Sequence, residues 1–287
     1  MARKLDKTDE MPTTGHEWDG IREYDTPMPR WWVLTFYATI VWAIIIMILY
    51  PAVPLISSAT PGLLGYSTRG EVASEIAAVD AANAPLDQAL VNAELPQILS
   101  DPALNQYAVS GGGAVFRTYC AQCHGSGAAG AVGYPNLLDD DWLWGGDIEN
   151  IHLTIRHGIR WEDDFDTRLS EMPAFGDDYL STEEISQVVE FVLSLSGQDH
   201  DTAMAAPGAE IFLNECSSCH GDQGLGNPEL GAPNIADAIW LYGGDREVLT
   251  ETITYSRAGV MPPWVGRLTE AEIRQVSAYV HQLGGGE

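Results

Sequence analysis

The sequence predicts an all-α protein in which one N-terminal transmembrane helix precedes two tandem helical domains. Three observations support this: twenty uncharged residues in a row at 31–50, a set of short motifs that occurs twice in one order, and apolar residues with helical spacing near the end of each copy. Hydrophobic residues make up 45% of the 287 residues and the net charge is −27. This composition excludes a disordered chain and a basic nucleic-acid-binding protein, and four cysteines are too few for a disulfide scaffold.

The uncharged segment has the length of a membrane span. Twenty residues at 1.5 Å each cover about 30 Å, which is the thickness of the hydrocarbon core. Aromatic residues lie at both ends, and Pro51 ends the helix. A cleaved signal peptide fits poorly, because thirty residues precede the long apolar run. Five basic residues lie before the span, so the positive-inside rule predicts a cytoplasmic N-terminus and a periplasmic remainder, anchored in a bacterial inner membrane.

Two stretches beyond the span repeat the same landmarks, which indicates a duplicated domain. Each copy has a Cys-x-x-Cys-His motif, a Pro-Asn pair, a segment ending in Gly-Gly-Asp, a Met-Pro pair and a final helix that begins with a capping box. The landmarks are Cys120 and Cys216, Pro135-Asn136 and Pro233-Asn234, Trp142–Asp147 and Trp240–Asp245, Met172 and Met261, and the capping boxes Ser181/Glu184 and Thr269/Glu272.

These landmarks set the expected domain boundaries. The chain is expected to contain a cytoplasmic segment at 1–30, the transmembrane helix at 31–56, a periplasmic tether with short helices at 57–108, a first domain at 109–197, a linker at 198–206 and a second domain at 207–287.

The two Cys-x-x-Cys-His motifs are the attachment signature of c-type haem. Two thiols three positions apart can form thioethers with one porphyrin, and the adjacent histidine then lies beneath the iron. Both domains are therefore expected to be cytochrome c-type, with two covalently bound haem c in all. A zinc site would need four ligands close together, and a thioredoxin-like motif would need a βαβ pattern. The expected attachment points are Cys120, Cys123, Cys216 and Cys219, and the expected iron ligands are His124 and His220.

Met172 and Met261 are the expected sixth ligands of the two irons. They occupy equivalent places in the repeats, each in a loop stiffened by a following proline. Ligation by His and Met raises the reduction potential and fills both axial positions, so the haems are expected to carry electrons. A haem gas sensor would need an open axial position. The spacing leaves open whether each methionine serves its own haem or the neighbouring one.

Other residues near the motifs have weaker assignments. The acidic run 162–166 lies in an insertion of the first repeat and is expected to be a solvated loop, or else a contact for a basic electron donor. Four histidines are expected to be structural or on the surface: His152, His157, His200 and His281. Candidates for binding haem propionates are His157, Arg156, Arg160 and Arg257. The tryptophans expected to pack around haem are Trp142, Trp144 and Trp240.

Nearly the whole chain resembles the CcoP/FixP family, the membrane-anchored dihaem cytochrome c subunits (subunit III) of cbb3-type cytochrome c oxidases. The haem motifs are general to cytochromes c, and the specific resemblance lies in the segments around the first helix. Some family members have a second transmembrane helix, whereas this sequence shows one. The matching segments are His16–Ile21, Glu23, Pro29–Trp32, Tyr50-Pro51 and Leu64–Ser67.

The resemblance implies that the chain passes electrons from a basic or soluble periplasmic cytochrome c to the catalytic haem–copper subunit. A monohaem cytochrome c subunit is the other implied partner in a complex that reduces oxygen to water and pumps protons. The chain has no catalytic centre of its own, since its single span carries no cluster of histidines. Two alternatives stay open, a free-standing membrane-tethered dihaem shuttle and the cytochrome subunit of a periplasmic dehydrogenase.

Overall fold

The computed structural model describes residues 12–177 and 179–287, whose regular structure is mostly α-helical, as the sequence predicts. Arg3, Lys4 and Lys7, on which the expected orientation partly depends, lie outside the described residues. The chain divides at residue 82 into two compact units.

Two short strands and eleven α-helices make up most of the described regular structure. The strands are β1 (Thr13–Trp18) and β2 (Ile21–Tyr24). The helices are α1 (Arg30–Leu49), α2 (Thr68–Asn92), α3 (Leu95–Ser100), α4 (Pro102–Val115), α5 (Ala121–His124), α6 (Ile148–His157), α7 (Thr182–Leu195), α8 (Thr202–Glu215), α9 (Ser217–His220), α10 (Arg246–Tyr255) and α11 (Glu270–His281), with a π-helical turn at Phe116–Cys120.

Helix α1 is the expected membrane span. Among the described residues it is the one helix long and apolar enough to cross a bilayer. It ends at Leu49, before the expected limit at residue 56, because Tyr50 precedes a proline and adopts an extended conformation. The backbone N–H groups of Leu63 and Leu64 donate to the carbonyls of Ile48 and Leu49 at 2.9 and 3.0 Å. The chain after the helix thus satisfies carbonyls that its last turn leaves free.

The segment expected as a tether is more regular than the sequence suggests. Helix α2 runs for 25 residues with Pro85 inside it, where short helices were expected. Its many alanines favour a long helix. Helix α4 begins at Pro102, inside the expected tether, because Asp101 caps it by accepting hydrogen bonds from the N–H groups of Ala103 and Leu104 at 2.9 and 3.2 Å.

Two of the hydrophobic cores of the second unit combine halves of both repeats. In one, α4 and α6 of the first repeat pack with α11 of the second; in the other, α8 and α10 of the second repeat pack with α7 of the first. We call them core 1 and core 2. The buried residues of core 1 are Val115, Phe116, Ala128, Ile151, Ile155, Leu268, Ile273, Val276 and Val280. Those of core 2 are Phe175, Ile185, Val188, Val189, Val192, Leu193, Phe212, Leu249 and Ile253.

The short connection between α7 and α8 explains why the two repeats exchange halves, with the last helix of each repeat packed on the first helix of the other. Helix α8 begins at Thr202, inside the expected linker 198–206, so only residues 196–201 separate the two helices. A connection of this length favours an antiparallel helix pair. Glu190 of α7 reinforces the pair, because its carboxylate accepts from the N–H of Asp201, the residue that caps α8, at 2.7 Å. The same carboxylate pairs with Arg246 of α10. Helix α7 is therefore packed on α8, and α4 packs on α11.

Candidate haem sites

Each Cys-x-x-Cys-His motif follows a helix that is anchored by a buried phenylalanine. Phe116 and Phe212, four residues before the first cysteine of each motif, are fully buried. Cys120 and Cys216 are half-buried, whereas Cys123 and Cys219 are exposed. Burial raises the pKa of the Cys120 and Cys216 thiols to about 11. Each motif thus places one thiol against a hydrophobic core and the other at the surface.

The two motif histidines have one ring nitrogen fixed and the other left available. Nδ1 of His124 lies 3.1 Å from the carbonyl oxygen of Pro135, and Nδ1 of His220 lies 3.0 Å from that of Pro233. A carbonyl only accepts, so Nδ1 carries the proton and the Nε2 lone pair is free to bind iron. Burial lowers the pKa of both imidazoles, which favours the neutral form that binds a metal.

The loop that follows each histidine is folded back onto the histidine's own backbone, and this places the proline carbonyl near the imidazole ring. The N–H of Gly130 donates to the His124 carbonyl at 2.8 Å, and the N–H of Gly226 donates to that of His220 at 2.9 Å. Both glycines have positive φ, and a Cβ on Gly130 would lie 2.3 Å from the Tyr134 oxygen. The role of Pro135 and Pro233 is not evident from the sequence, although the repeated Pro-Asn pair marks both positions.

Met261 lies beside the haem motif of the other repeat. It packs against core 1, as Cys120 does. Met261 and Ile159 exchange two backbone hydrogen bonds, at 2.9 and 3.0 Å, and the N–H of Trp264 donates to the Ile155 carbonyl at 3.1 Å. Gly158 permits this approach, since a Cβ there would lie 2.2 Å from the Met261 oxygen. The Met261 loop is thus built onto the end of α6.

Met172 is placed in the same way on the second motif. It packs against core 2, as Cys216 does. The hydroxyl of Ser256 donates to the Met172 carbonyl at 2.7 Å, and the N–H of Phe175 donates to the Ile253 carbonyl at 3.1 Å. The Phe175–Ile253 bond repeats the Trp264–Ile155 bond, in each case three residues after the methionine. The two methionine loops are therefore exchanged symmetrically between the repeats.

The remaining histidines and arginines contact protein groups. Nε2 of His152 lies 3.1 Å from a carboxylate oxygen of Glu270, which Arg156 also binds, and Arg257 pairs with Glu251. The guanidinium of Arg160 donates to two backbone carbonyls. The other histidine contacts are His157 with Asp164, His200 with the Gln198 carbonyl and His281 with the Glu287 carbonyl. Arg156 and Arg257 are thus paired with protein carboxylates.

The three tryptophans fall into two groups. Trp142 packs against core 1 and Trp240 against core 2. Trp144 is buried elsewhere, with the Arg168 guanidinium 5.1 Å from its ring centre, and its indole N–H has no hydrogen-bond partner among the described residues. In the acidic insertion Phe165 is fully exposed, whereas Asp164 turns inward to His157.

The residues present fit two c-type haems. Each motif offers two thiols, an imidazole whose Nδ1 is hydrogen-bonded so that Nε2 is available, and a thioether from the loop packed on the same core. These are the donors that a covalently attached, His/Met-ligated haem uses.

Known protein families match both the N-terminal region and the two haem domains of the chain. Residues 10–57 match the family described as the N-terminal domain of cytochrome oxidase-cbb3, FixP. Residues 108–192 and 203–280 match the family described as cytochrome c oxidase, cbb3-type, subunit III. The first match includes the segment that a simple membrane tether would not need.

Three relatives align over nearly their full length. The chain is 64% identical over 282 residues to the cbb3-type cytochrome c oxidase subunit CcoP of Cereibacter sphaeroides, covering 98% of this chain and 97% of that protein. It is 49% identical over 286 residues to subunit FixP of Rhizobium meliloti, covering 99% and 98%. It is 50% identical over 297 residues to subunit CcoP of Rhodobacter capsulatus, covering all of both.

These matches confirm the resemblance, the two c-type haem domains and an electron-transfer role within an oxidoreductase complex. The chain belongs to the subunit III family of cbb3-type cytochrome c oxidases.

Proposed function

We propose that the chain receives electrons from a periplasmic cytochrome c and passes them through its two haems to the catalytic haem–copper subunit. A monohaem cytochrome c subunit is the further partner. The chain's net charge of −27 supports a basic donor, because a strongly acidic surface attracts a basic protein and raises the rate of encounter.

The haems are attached through Cys120 and Cys123 in the first motif and through Cys216 and Cys219 in the second. His124 and His220 are the proximal ligands, each oriented by a proline carbonyl. Met261 is the sixth ligand of the His124 haem, and Met172 is the sixth ligand of the His220 haem. The observation that carries this assignment is the packing of Met261 with Cys120 on core 1 and of Met172 with Cys216 on core 2.

The chain's residues hold and insulate the cofactors rather than react. When bound, the haem iron supplies reversible one-electron chemistry. With a histidine and a methionine both binding it, the iron would have no ligand position left for oxygen. The buried side chains of cores 1 and 2 pack against Cys120 and Cys216, so they would exclude water from a haem attached there and would favour its reduced form, which carries the lower charge.

The chain is anchored by α1, with its N-terminus in the cytoplasm and its haem domains in the periplasm. Within the described residues Arg22 lies before α1 and Arg30 is its first residue, whereas Arg69 is the one basic residue in the twenty that follow the helix. This asymmetry supports the orientation through the positive-inside rule. The inner membrane of a bacterium is the matching location.

A pair of substitutions tests the crosswise ligation. In full-length chain that carries Cys216→Ala and Cys219→Ala, only the first haem attaches. Met261→Leu in this background should remove the thioether–iron absorption band and lower the reduction potential, whereas Met172→Leu should leave both unchanged. The reverse outcome would assign each methionine to the haem of its own repeat. Retention of the band in both variants would show that neither methionine ligates this iron.

A further inference from the structure

Arg160 lies between the two methionine loops and contacts both. Its Nε donates to the Ser170 carbonyl at 2.5 Å, and its Nη1 donates to the Gly259 carbonyl at 2.8 Å. Ser170 and Gly259 each lie two residues before the methionine of their loop. One side chain therefore joins the backbone of the Met172 loop to that of the Met261 loop.

The backbone of Arg160 is held in an unusual conformation. Its φ of +55° lies in the left-handed region, which is uncommon for a residue with a Cβ. The N–H of Arg160 donates to the Arg168 carbonyl at 2.8 Å, and the preceding residue, Ile159, forms the paired hydrogen bonds with Met261. The insertion of the first repeat and the Met261 loop thus fix the residue from both sides.

The guanidinium suits this position because it is a planar group with several N–H donors in fixed directions. It can satisfy two carbonyls at once, whereas a lysine ammonium is a single point on a flexible stem. Burial and a positive charge make such hydrogen bonds stronger than neutral ones on the surface. The Arg160 side chain is only partly exposed, as this requires.

The second repeat has no matching arginine. Gly158 and Ser256 occupy equivalent places just after α6 and α10, and both have positive φ. Two residues further on, the first repeat has Arg160 and the second has Ala258. Arg257 points to Glu251 and to the ring of Tyr242 instead. The link that Arg160 forms between the two methionine loops is thus provided by the first repeat alone, and we call it the Arg160 bridge.

We propose that Arg160 is a positioning residue for both methionine loops, and through them for the sixth ligands of both haems. The part of this inference that concerns the irons rests on the proposed ligation by Met172 and Met261. Loss of the guanidinium should loosen the two loops together, although they belong to opposite haem sites.

The test uses the full-length, haem-loaded chain within the oxidase, with the variants Arg160→Gln and Arg160→Lys. Arg156→Gln is the matched control, because the Arg156 guanidinium pairs with Glu270 on α11. The first readout is amide hydrogen exchange in residues 169–173 and 258–262, which does not depend on what ligates the iron. The second is the thioether–iron band of each haem, followed through a potentiometric titration and through heating.

We expect amide exchange in both loops to become about tenfold faster in Arg160→Gln, since each loop loses a charge-assisted hydrogen bond. Both thioether bands should disappear at a lower temperature than in the Arg156→Gln control. Arg160→Lys should still loosen at least one loop, because an ammonium does not span both carbonyls.

Two results would overturn the proposal: exchange that stays unchanged in either loop of Arg160→Gln, or a lysine variant that behaves as the parent. If neither Met172→Leu nor Met261→Leu changes the bands while exchange still rises in both loops of Arg160→Gln, the proposed ligation is wrong and the Arg160 bridge is confirmed.

Discussion

Ile159 and Met261 exchange both of their backbone hydrogen bonds, although they belong to different repeats. This pair joins the segment after α6 of the first repeat to the methionine loop of the second. Ser256 and Met172 form the corresponding link in the other direction. The two haem domains are therefore assembled from exchanged halves. A substitution in the last helix of one repeat should accordingly destabilise the domain that holds the haem motif of the other.

The first prediction concerns the buried isoleucines of the exchanged helices. Ile273 of α11 belongs to core 1 and Ile185 of α7 belongs to core 2. Ile273→Ala should destabilise the domain of the Cys120 haem, and Ile185→Ala that of the Cys216 haem, each by about 2–5 kcal/mol because a buried cavity forms. Thermal loss of each haem's thioether band measures this. The opposite pairing of variant and haem would contradict the exchange.

The second prediction concerns the crossing of α4 and α11. A Cβ on Gly112 would lie 2.1 Å from the carbonyl oxygen of Gln275, so the helices touch through backbone. Gly112→Ala should push them apart and lower the free energy of unfolding by about 1–3 kcal/mol or more. Gly127→Ala is the control, because its Cβ would meet nothing within 4 Å. Chemical denaturation of both variants gives the comparison, and equal stability would argue against a tight crossing.

The third prediction concerns pH. Burial, with repulsion from Asp237, Asp139 and Asp140, raises the pKa of Asp141 to about 6. An unfolded aspartate titrates near 4, so the folded state holds this proton more tightly than the unfolded state. The group's contribution to stability is therefore full below about pH 4 and is lost as the pH rises through about 6.

Asp141→Asn should accordingly raise the melting temperature at pH 8, with a gain that shrinks towards pH 4. Asp163→Asn is the control, since Asp163 is exposed and is not one of the charges that act on Asp141. Melting curves between the two pH values decide the matter, and equal melting temperatures for Asp141→Asn and the parent at pH 8 would rule out the effect.

The fourth prediction concerns the electron donor. With a net charge of −27, the chain should bind a basic cytochrome c through long-range attraction. Salt shortens the range of that attraction from about 30 Å at 0.01 M to about 8 Å at 0.15 M. Oxidation of the donor by the intact oxidase should slow steeply over this range when stopped-flow rates are compared. A rate independent of salt would show that charge does not guide docking.

Local features of this protein could be predicted from the sequence because they depend on neighbouring residues. The capping boxes Ser181/Glu184 and Thr269/Glu272 are both present at the starts of α7 and α11. Helix α1 begins after Pro29 and ends just before Pro51. The Cys-x-x-Cys-His motifs and the repeated Met-Pro pairs likewise indicate the candidate haem-binding thiols, imidazoles and thioethers from the sequence alone.

The sequence by itself determined which residues offer thiol, imidazole and thioether groups, and only the tertiary structure decided which of them meet. The two repeats carry the same landmarks, so α7 and α11 present similar apolar faces and local patterns do not distinguish their partners. The short connection 196–201 pairs α7 with α8, and α11 then covers α4. The sequence suggested a haem propionate as the partner of Arg160, and its actual contacts could not be predicted for the same reason, because the two carbonyls lie 10 and 99 residues away and meet only through the exchange.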